Sequence, residues 1–399
     1  MKTIAIFTGS RAEFGLQLPL LEKLKNDKNF IVYLLVGASH LNKDFGKTIS
    51  EIEESGFSSN YLIDFNHGTD TLSSNPKTIS IGIDLISNEL KKINPDYFIV
   101  YGDRYETFAS VIASTQMGIP TIHVEGGDIT EGGTFDDSVR HAITKLSHIH
   151  LATNEHSKKR IIQMGEEAKR VFNVGLPAID FIKNQDFTEP AEIIERYNLK
   201  KIENIIIFTQ HPIPINVKDI ESDFSEIEDA FKEINNDNLK IICTYPNSDI
   251  GGKEIIKILK EWNLKFKNLE VYKSLGRRDL HGLLNLNNTK YRKKVVFIGN
   301  SSSAIKEAPA LNCPSLILGN RQKGRLHAES VYFTNISSKN IVDSVNNIFE
   351  GFDSNLYENT NNFYGEGLMA EKTLEILNAL PNRQELLLKK FNEIKNFNI

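Results

Sequence analysis

Short β-branched and aromatic runs recur along the first half of the chain, each closed by Gly, Asp or Asn and followed by a stretch whose apolar residues fall at helical spacing. This alternation predicts strands at Thr3–Phe7, Val32–Val36, Tyr97–Tyr101, Thr121–Val124, Ile149–Ala152 and Val171–Val174. Strands and helices taken in turn build a parallel sheet covered on both faces, so the first half is read as a Rossmann-like α/β domain. In such a domain the chemistry collects at the carboxyl ends of the strands. A second series is predicted at Ile205–Thr209, Ile241–Thr244, Leu269–Tyr272, Val295–Ile298 and Ser315–Leu318.

Between the two series, Asn184–Lys201 is polar and charged and contains Pro190, which predicts a surface connector. The expected division is a first domain over 1–183, a second over 202–369, and a helical segment over 370–399, broken at Pro381, that packs back toward the first. A length of 399 residues suits two domains.

Composition narrows the function classes. With 40% hydrophobic and 25% charged residues the chain is globular, not disordered, collagen-like or disulfide-stapled. A net charge of -5 gives no field to recruit nucleic acid or an anionic membrane. Cys243 and Cys313 are the only cysteines and form no C-x-x-C pair, so neither a thiolate zinc site nor a disulfide framework is predicted, and a cytoplasmic location is expected. MKTIAIF runs straight into the polar turn TGSRAEFG, unlike a signal peptide. The charge-free run Thr107–Val124 contains Gln116, Gly118, Pro120 and His123, unlike a membrane span.

Candidate chemistry sits where the predicted strands end. The loop Thr8–Gly15 precedes a helix whose free N–H groups favour an anion, and Arg11 could hold a phosphate there or simply face solvent. The loop is neither G-x-G-x-x-G nor a P-loop, so no nicotinamide is expected. Asp103, in Gly102-Asp103-Arg104, and Glu125, in Glu125-Gly126-Gly127-Asp128, project from neighbouring strand ends. Asp136 and Asp137 follow with Arg140. Thr134 reads as an N-cap, and capping alone would also account for the two aspartates. Crowded acids interleaved with arginine suggest an acid/base site with shifted pKa values. No compact spacing such as H-E-x-x-H is present, so no metal is required. In the second half, His211 ends a strand, Asn300, Ser301 and Ser302 open a helix suited to phosphate, Glu307 could accept from ribose hydroxyls, and Arg321 adds a cation.

Taken in order, GSRAEFG, GDR, HVEGGD, DDSVRHAITKLSHIH, QHP, YPN, GNSSSAIKEAP and NRQKGR resemble the UDP-N-acetylglucosamine 2-epimerase family over nearly the whole chain. The pairing of E-G-G with D-D-S-x-R-H resembles its hydrolysing branch, which serves sialic-acid-type sugars. The resemblance implies two Rossmann-like domains with parallel sheets in a GT-B-like architecture with an interdomain cleft, no NAD, no essential metal and a homodimer. It implies catalytic roles for Asp103, Glu125, Asp136, Asp137 and His211. Arg11, Arg140, Asn300, Ser301, Ser302, Glu307 and Arg321 are implied as substrate or nucleotide contacts. The expected reaction takes UDP-N-acetylglucosamine and water to N-acetylmannosamine and UDP, through a 2-acetamidoglycal. The segment ITEGGTF is longer than the family spacing, and it leaves GDP-N,N'-diacetylbacillosamine as an alternative substrate. A GT-B glycosyltransferase is the other enzyme class with these parts.

Overall fold

In the computed structural model, residues 42–48, 58–60, 66–73, 132–135, 248, 352–361 and 394–399 lie outside the described set. The remainder folds into two compact units, Met1–Ile129 with Phe135–Asp180 and Tyr364–Ile399, and Thr130–Thr134 with Phe181–Phe363.

The first unit is built on β1 (Lys2–Thr8), β2 (Phe30–Gly37), β3 (Tyr61–Ile63), β4 (Tyr97–Tyr101), β5 (Thr121–Val124), β6 (Ile149–Ala152) and β7 (Val171–Asn173). Their order is β3-β2-β1-β4-β5-β6-β7, all parallel, so the connections reverse direction between β1 and β4. Side chains along β1 alternate between the two faces: Ile4 and Ile6 enter one apolar cluster, Ala5 and Phe7 another. Every residue of β4, β5 and β6 is buried. Burial on both faces is why β4 reads as an unbroken apolar run, while β5 and β6 carry the buried polar side chains Thr121, His123 and His150.

The end of the chain completes this unit. Met369, Leu377, Leu380 and Leu386 join the cluster containing Ile4, Leu21 and Tyr97. Asp180 accepts from the N–H groups of Met369 (3.0 Å) and Ala370 (2.9 Å), capping the helix Met369–Ala379. The Tyr97 hydroxyl donates to the Pro381 carbonyl at 2.8 Å.

The second unit holds β8 (Asn204–Thr209), β9 (Leu239–Thr244), β10 (Leu269–Tyr272), β11 (Lys294–Gly299), β12 (Ser315–Leu318) and β13 (Val331–Thr334), in the parallel order β10-β9-β8-β11-β12-β13. Its core centres on Trp262, wholly buried, with the rings of Phe208, Phe224 and Phe231 at 6.0, 5.4 and 5.6 Å. The indole N–H is satisfied by Glu228 at 2.8 Å.

All the expected strands are present, together with β3 and β13, which the pattern does not reveal. Both are edge strands of three and four residues with a single partner, and Tyr332 and Phe333 of β13 are exposed. Asn184–Lys201 is not a surface connector. It contains the helix Pro190–Arg196, with Pro190 in the first turn, and buries Ile193, Ile194, Tyr197 and Leu199 within the second unit. Among the described residues no helix is long and apolar enough to cross a membrane.

Candidate active site

In open parallel sheets ligands bind outside the carboxyl ends of the strands, where the strand order reverses. Asp103 follows β4 through Gly102, at φ 73°, and Glu125 follows β5 directly at φ 67°. A left-handed backbone is ordinary for Gly102 but strained for a glutamate, and residues held this way cluster at functional sites. The Gly102 carbonyl accepts from His123 Nε2 at 2.8 Å, and a carbonyl can only accept, so Nε2 bears the ring proton and Thr144 Oγ1 at 3.1 Å serves Nδ1. Burial pushes this imidazole down to about 3. His123 is thus a neutral peg under the Asp103 turn.

Asp136 and Asp137 occupy the first turn of the helix Asp136–Leu146, where the dipole favours anions. Thr134, the expected N-cap, lies outside the described residues. Arg140, 2% exposed, reaches back from the next turn of this helix. Its guanidinium donates to Asp103, to Asp137 Oδ1 at 2.5 Å and to the Asp128 carbonyl at 3.1 Å. Burial opposes its charge, but Asp103, Asp128 and Asp137 together hold it protonated above its ordinary value. Asp103 and Asp137 are therefore bridged by one cation rather than left to crowd each other.

The crowded carboxyl is one that the sequence reading passes over. Glu13 is 7% exposed and, among the described residues, accepts only the Gly9 N–H (2.8 Å) at Oε2 and has no partner at Oε1. Beside it Glu106, 2% exposed, pairs with Arg104 at 3.1 Å. Burial and the Glu106 charge push Glu13 up to about 8. Its readable signal is the capping spacing: Ser10 accepts from the Glu13 N–H at 3.4 Å while the Glu13 side chain reaches back to Gly9. The Gly9 amide is thereby spent inside the protein and is not offered to an anion. Arg11 stands partly exposed at the first helical position.

A carboxyl that titrates near 8 when folded and near 4.5 when free makes folding take up a proton between those values. Its contribution to stability therefore falls as pH rises through that window. Glu13→Gln, which keeps an acceptor for Gly9, is expected to match the wild type near pH 4.5 and to exceed it by on the order of 3 kcal/mol at pH 8. Chemical unfolding at both pH values checks this, and a gap that does not widen would show that Glu13 ionises freely.

The second sheet has its own reversal, between β8 and β11. Gly299 closes β11 at φ 129°, where a Cβ would lie 2.0 Å from the Thr209 carbonyl oxygen. Asn300 then clips the strand ends together. Its Oδ1 accepts from the His211 N–H (2.7 Å) and its Nδ2 donates to the His211 carbonyl (2.9 Å). The sequence assigns Asn300 to ligand binding, but both polar ends of its side chain are engaged by backbone. Asn247 N–H donates to His211 Nδ1 at 3.0 Å, which leaves Nε2 as the protonated nitrogen. Burial and the Arg321 charge push His211 down to about 3, so it can donate a hydrogen bond but carries no charge near neutrality. Arg321 donates to the Asn300 carbonyl (3.2 Å), and so does Gln322 (2.8 Å), a residue the sequence reading does not single out.

Ser301 is buried and Ser302 partly so, ahead of a single helical turn, Ser303–Lys306. The expected longer helix stops there because Pro309 has no N–H to continue it, and a 3-10 turn, Ala308–Leu311, follows. Glu307 accepts from Ser303 Oγ (2.6 Å) and from His281 Nε2 (2.7 Å). Among the described residues no cluster of His, Cys, Asp and Glu has the arrangement of a metal site.

Residues 22–378 match the family model described as UDP-N-acetylglucosamine 2-epimerase. The chain belongs to this family. As a UDP-N-acetylglucosamine 2-epimerase family member it is a nucleotide-sugar 2-epimerase. It is 32% identical over 355 residues to the Campylobacter jejuni GDP/UDP-N,N'-diacetylbacillosamine 2-epimerase (hydrolyzing), covering 88% of this chain and 87% of that one. It is also 32% identical over 347 residues to the Neisseria meningitidis serogroup B UDP-N-acetylglucosamine 2-epimerase, covering 86% and 87%. The crystal structure of a Neisseria meningitidis UDP-GlcNAc 2-epimerase bound to UDP-GlcNAc matches with a TM-score of 0.75 at 18% identity, covering 95% of this chain and 100% of that one. At that identity the likeness establishes the fold alone, that of a family member with two Rossmann-like α/β domains of the GT-B class.

Proposed function

We propose that this 2-epimerase is of the hydrolysing type, releasing the free 2-epimerised sugar and the nucleoside diphosphate, with UDP-N-acetylglucosamine as substrate and N-acetylmannosamine as product. The observation that carries the reading is the Asp103–Arg140–Asp137 bridge at the carboxyl end of the first sheet, beside the strained Glu125. A buried cation holds the two aspartates in place, which supports an acid/base site that works on a sugar.

In this reading a carboxylate of the first unit takes the C2 proton, and the C1–O bond breaks with its electron pair leaving on the diphosphate. A C1=C2 double bond results. Water then adds, hydroxyl to C1 and proton to C2 on the face opposite the one deprotonated, which inverts C2. Positive charge develops on the ring during elimination, so carboxylates suit the hexose. Negative charge grows on the leaving diphosphate, which suits the neutral donor His211, the hydroxyls of Ser301 and Ser302, and the cation Arg321. Glu307 would take the ribose.

A second reading keeps the chemistry and changes the substrate to a UDP- or GDP-linked N,N'-diacetylbacillosamine. The name of the Campylobacter relative and the lengthened ITEGGTF segment favour it. NMR of reactions in D2O, with each nucleotide sugar offered separately, distinguishes the two. The expected products are a free 2-epimerised sugar with deuterium at C2 and a nucleoside diphosphate, from one substrate and not the other. A product that keeps its nucleotide would end the hydrolysing assignment, and activity abolished by EDTA and restored by a divalent ion would end the metal-free one.

A further inference from the structure

We propose that His281, on the helix Gly276–Leu284, is the positioning residue of the ribose site, holding Glu307 so that its carboxylate accepts from the vicinal hydroxyls of a nucleoside diphosphate. The inference rests on the nucleotide-sugar reading above.

Glu307 lies just beyond β11, at the reversal of the 3-2-1-4-5-6 type sheet, the place where α/β folds bind nucleotides and where an acidic residue characteristically meets ribose hydroxyls. Its side chain is 14% exposed, so the carboxylate is sunk but not sealed. A carboxylate has about four acceptor positions. Ser303 Oγ at 2.6 Å and His281 Nε2 at 2.7 Å fill two, one on each oxygen, which leaves a position on each for a pair of neighbouring hydroxyls.

The tautomer of His281 follows from its surroundings. The ring is fully buried and Nδ1 has no hydrogen-bond partner among the described residues, so a proton there would be an unsatisfied buried donor. Nε2 is therefore the nitrogen that donates to Glu307. Burial works against the Glu307 charge, yet the His281 and Ser303 donors keep its carboxyl below the ordinary range.

His281 is held as firmly as it holds. Two residues earlier, Asp279 accepts from Thr188 Oγ1 (2.6 Å), Arg196 Nη1 (2.5 Å) and the Tyr197 hydroxyl (2.7 Å). Arg277 pairs with Asp186 at 2.6 Å and lies 3.5 Å above the Phe181 ring. At Gly282 a Cβ would come within 2.7 Å of the Thr188 carbonyl oxygen, so this helix packs directly onto the segment that follows Phe181.

The test is calorimetric, on the full chain, with UDP and GDP and their 2′-deoxy forms as probes. Wild type is expected to prefer its ribonucleotide about tenfold over the deoxy form. His281→Leu should lose about tenfold in affinity for the ribonucleotide and bind both forms alike, while His281→Gln, which keeps an N–H donor, should retain most of the preference. Ser303→Ala, a change outside the core, should lose a smaller part of it. A wild type that prefers the ribonucleotide, with His281→Leu preferring it equally, would overturn the role of His281 while leaving the nucleotide site standing. If His281→Leu does not fold, Ser303→Ala and His281→Gln carry the comparison. No binding of either ribonucleotide by the wild type would remove the nucleotide reading and this proposal together.

Discussion

Glutamine at position 125 is expected to lower turnover by on the order of a thousandfold while leaving thermal stability unchanged, and glycine at the same position should be equally inactive but more stable. The two substitutions separate the carboxylate from the backbone that presents it. Glu125 sits at φ 67° immediately after β5, a conformation costing a β-carbon-bearing residue about 1–2 kcal/mol. Glutamine keeps that strain. Glycine relieves it, and after its greater freedom in the unfolded chain is discounted, a net gain of up to about 1 kcal/mol remains. Steady-state kinetics with denaturant melts read both outcomes. Substantial activity in Glu125→Gln would take the carboxylate out of the chemistry, and equal stability of the two variants would mean that the φ value carries no strain.

Arg140→Met should abolish activity and destabilise the first unit by about 3–5 kcal/mol, the usual result of taking one partner from a buried ion pair. The guanidinium is 2% exposed and is shared between Asp103, Asp137 and the Asp128 carbonyl. Methionine fills the volume but strands the anions. Arg140→Lys keeps the charge without the planar fork, so it should recover part of the stability and little of the activity. Adding Asp103→Asn to Arg140→Met should cost less than the sum of the two changes, because the anion that suffers most has been removed. Strict additivity would show that the pair is not coupled and that Arg140 merely fills space.

How far the residues alone reach depends on whether a feature is written locally. A strand buried on both faces reads as a contiguous apolar run, so β4 and the centres of β8, β11 and β12 announce themselves. The three residues of β3 and the half-exposed β13 do not, because an edge strand needs only one partner and little burial. The polar look of Asn184–Lys201 hides a different arrangement. Ile193, Ile194, Tyr197 and Leu199, among its few apolar residues, are all buried. Asp103, Glu125, Asp137 and Arg140 are visible as motifs at strand ends, whereas the bridge among them depends on the fold bringing Asp103 beside a helix that begins at Asp136. Glu13 is written as a capping spacing and shows its isolation only once Glu106 is placed next to it. His281 has no local signature at all: one histidine on an amphipathic helix looks like any other until the Glu307 oxygen is found 2.7 Å away.

The first unit borrows its last layer from a segment that follows the whole later lobe in sequence, and this orders events at the ribosome. When β7 has emerged the seven-stranded sheet is complete in sequence, yet the apolar side over Ile4, Leu21 and Tyr97 still waits for Met369, Leu377, Leu380 and Leu386. The later lobe, whose strands all lie between Asn204 and Thr334, needs no such delay. Stalled nascent chains should therefore become protease-resistant in the later lobe first, with the amino-terminal half maturing only once residues 369–386 have emerged.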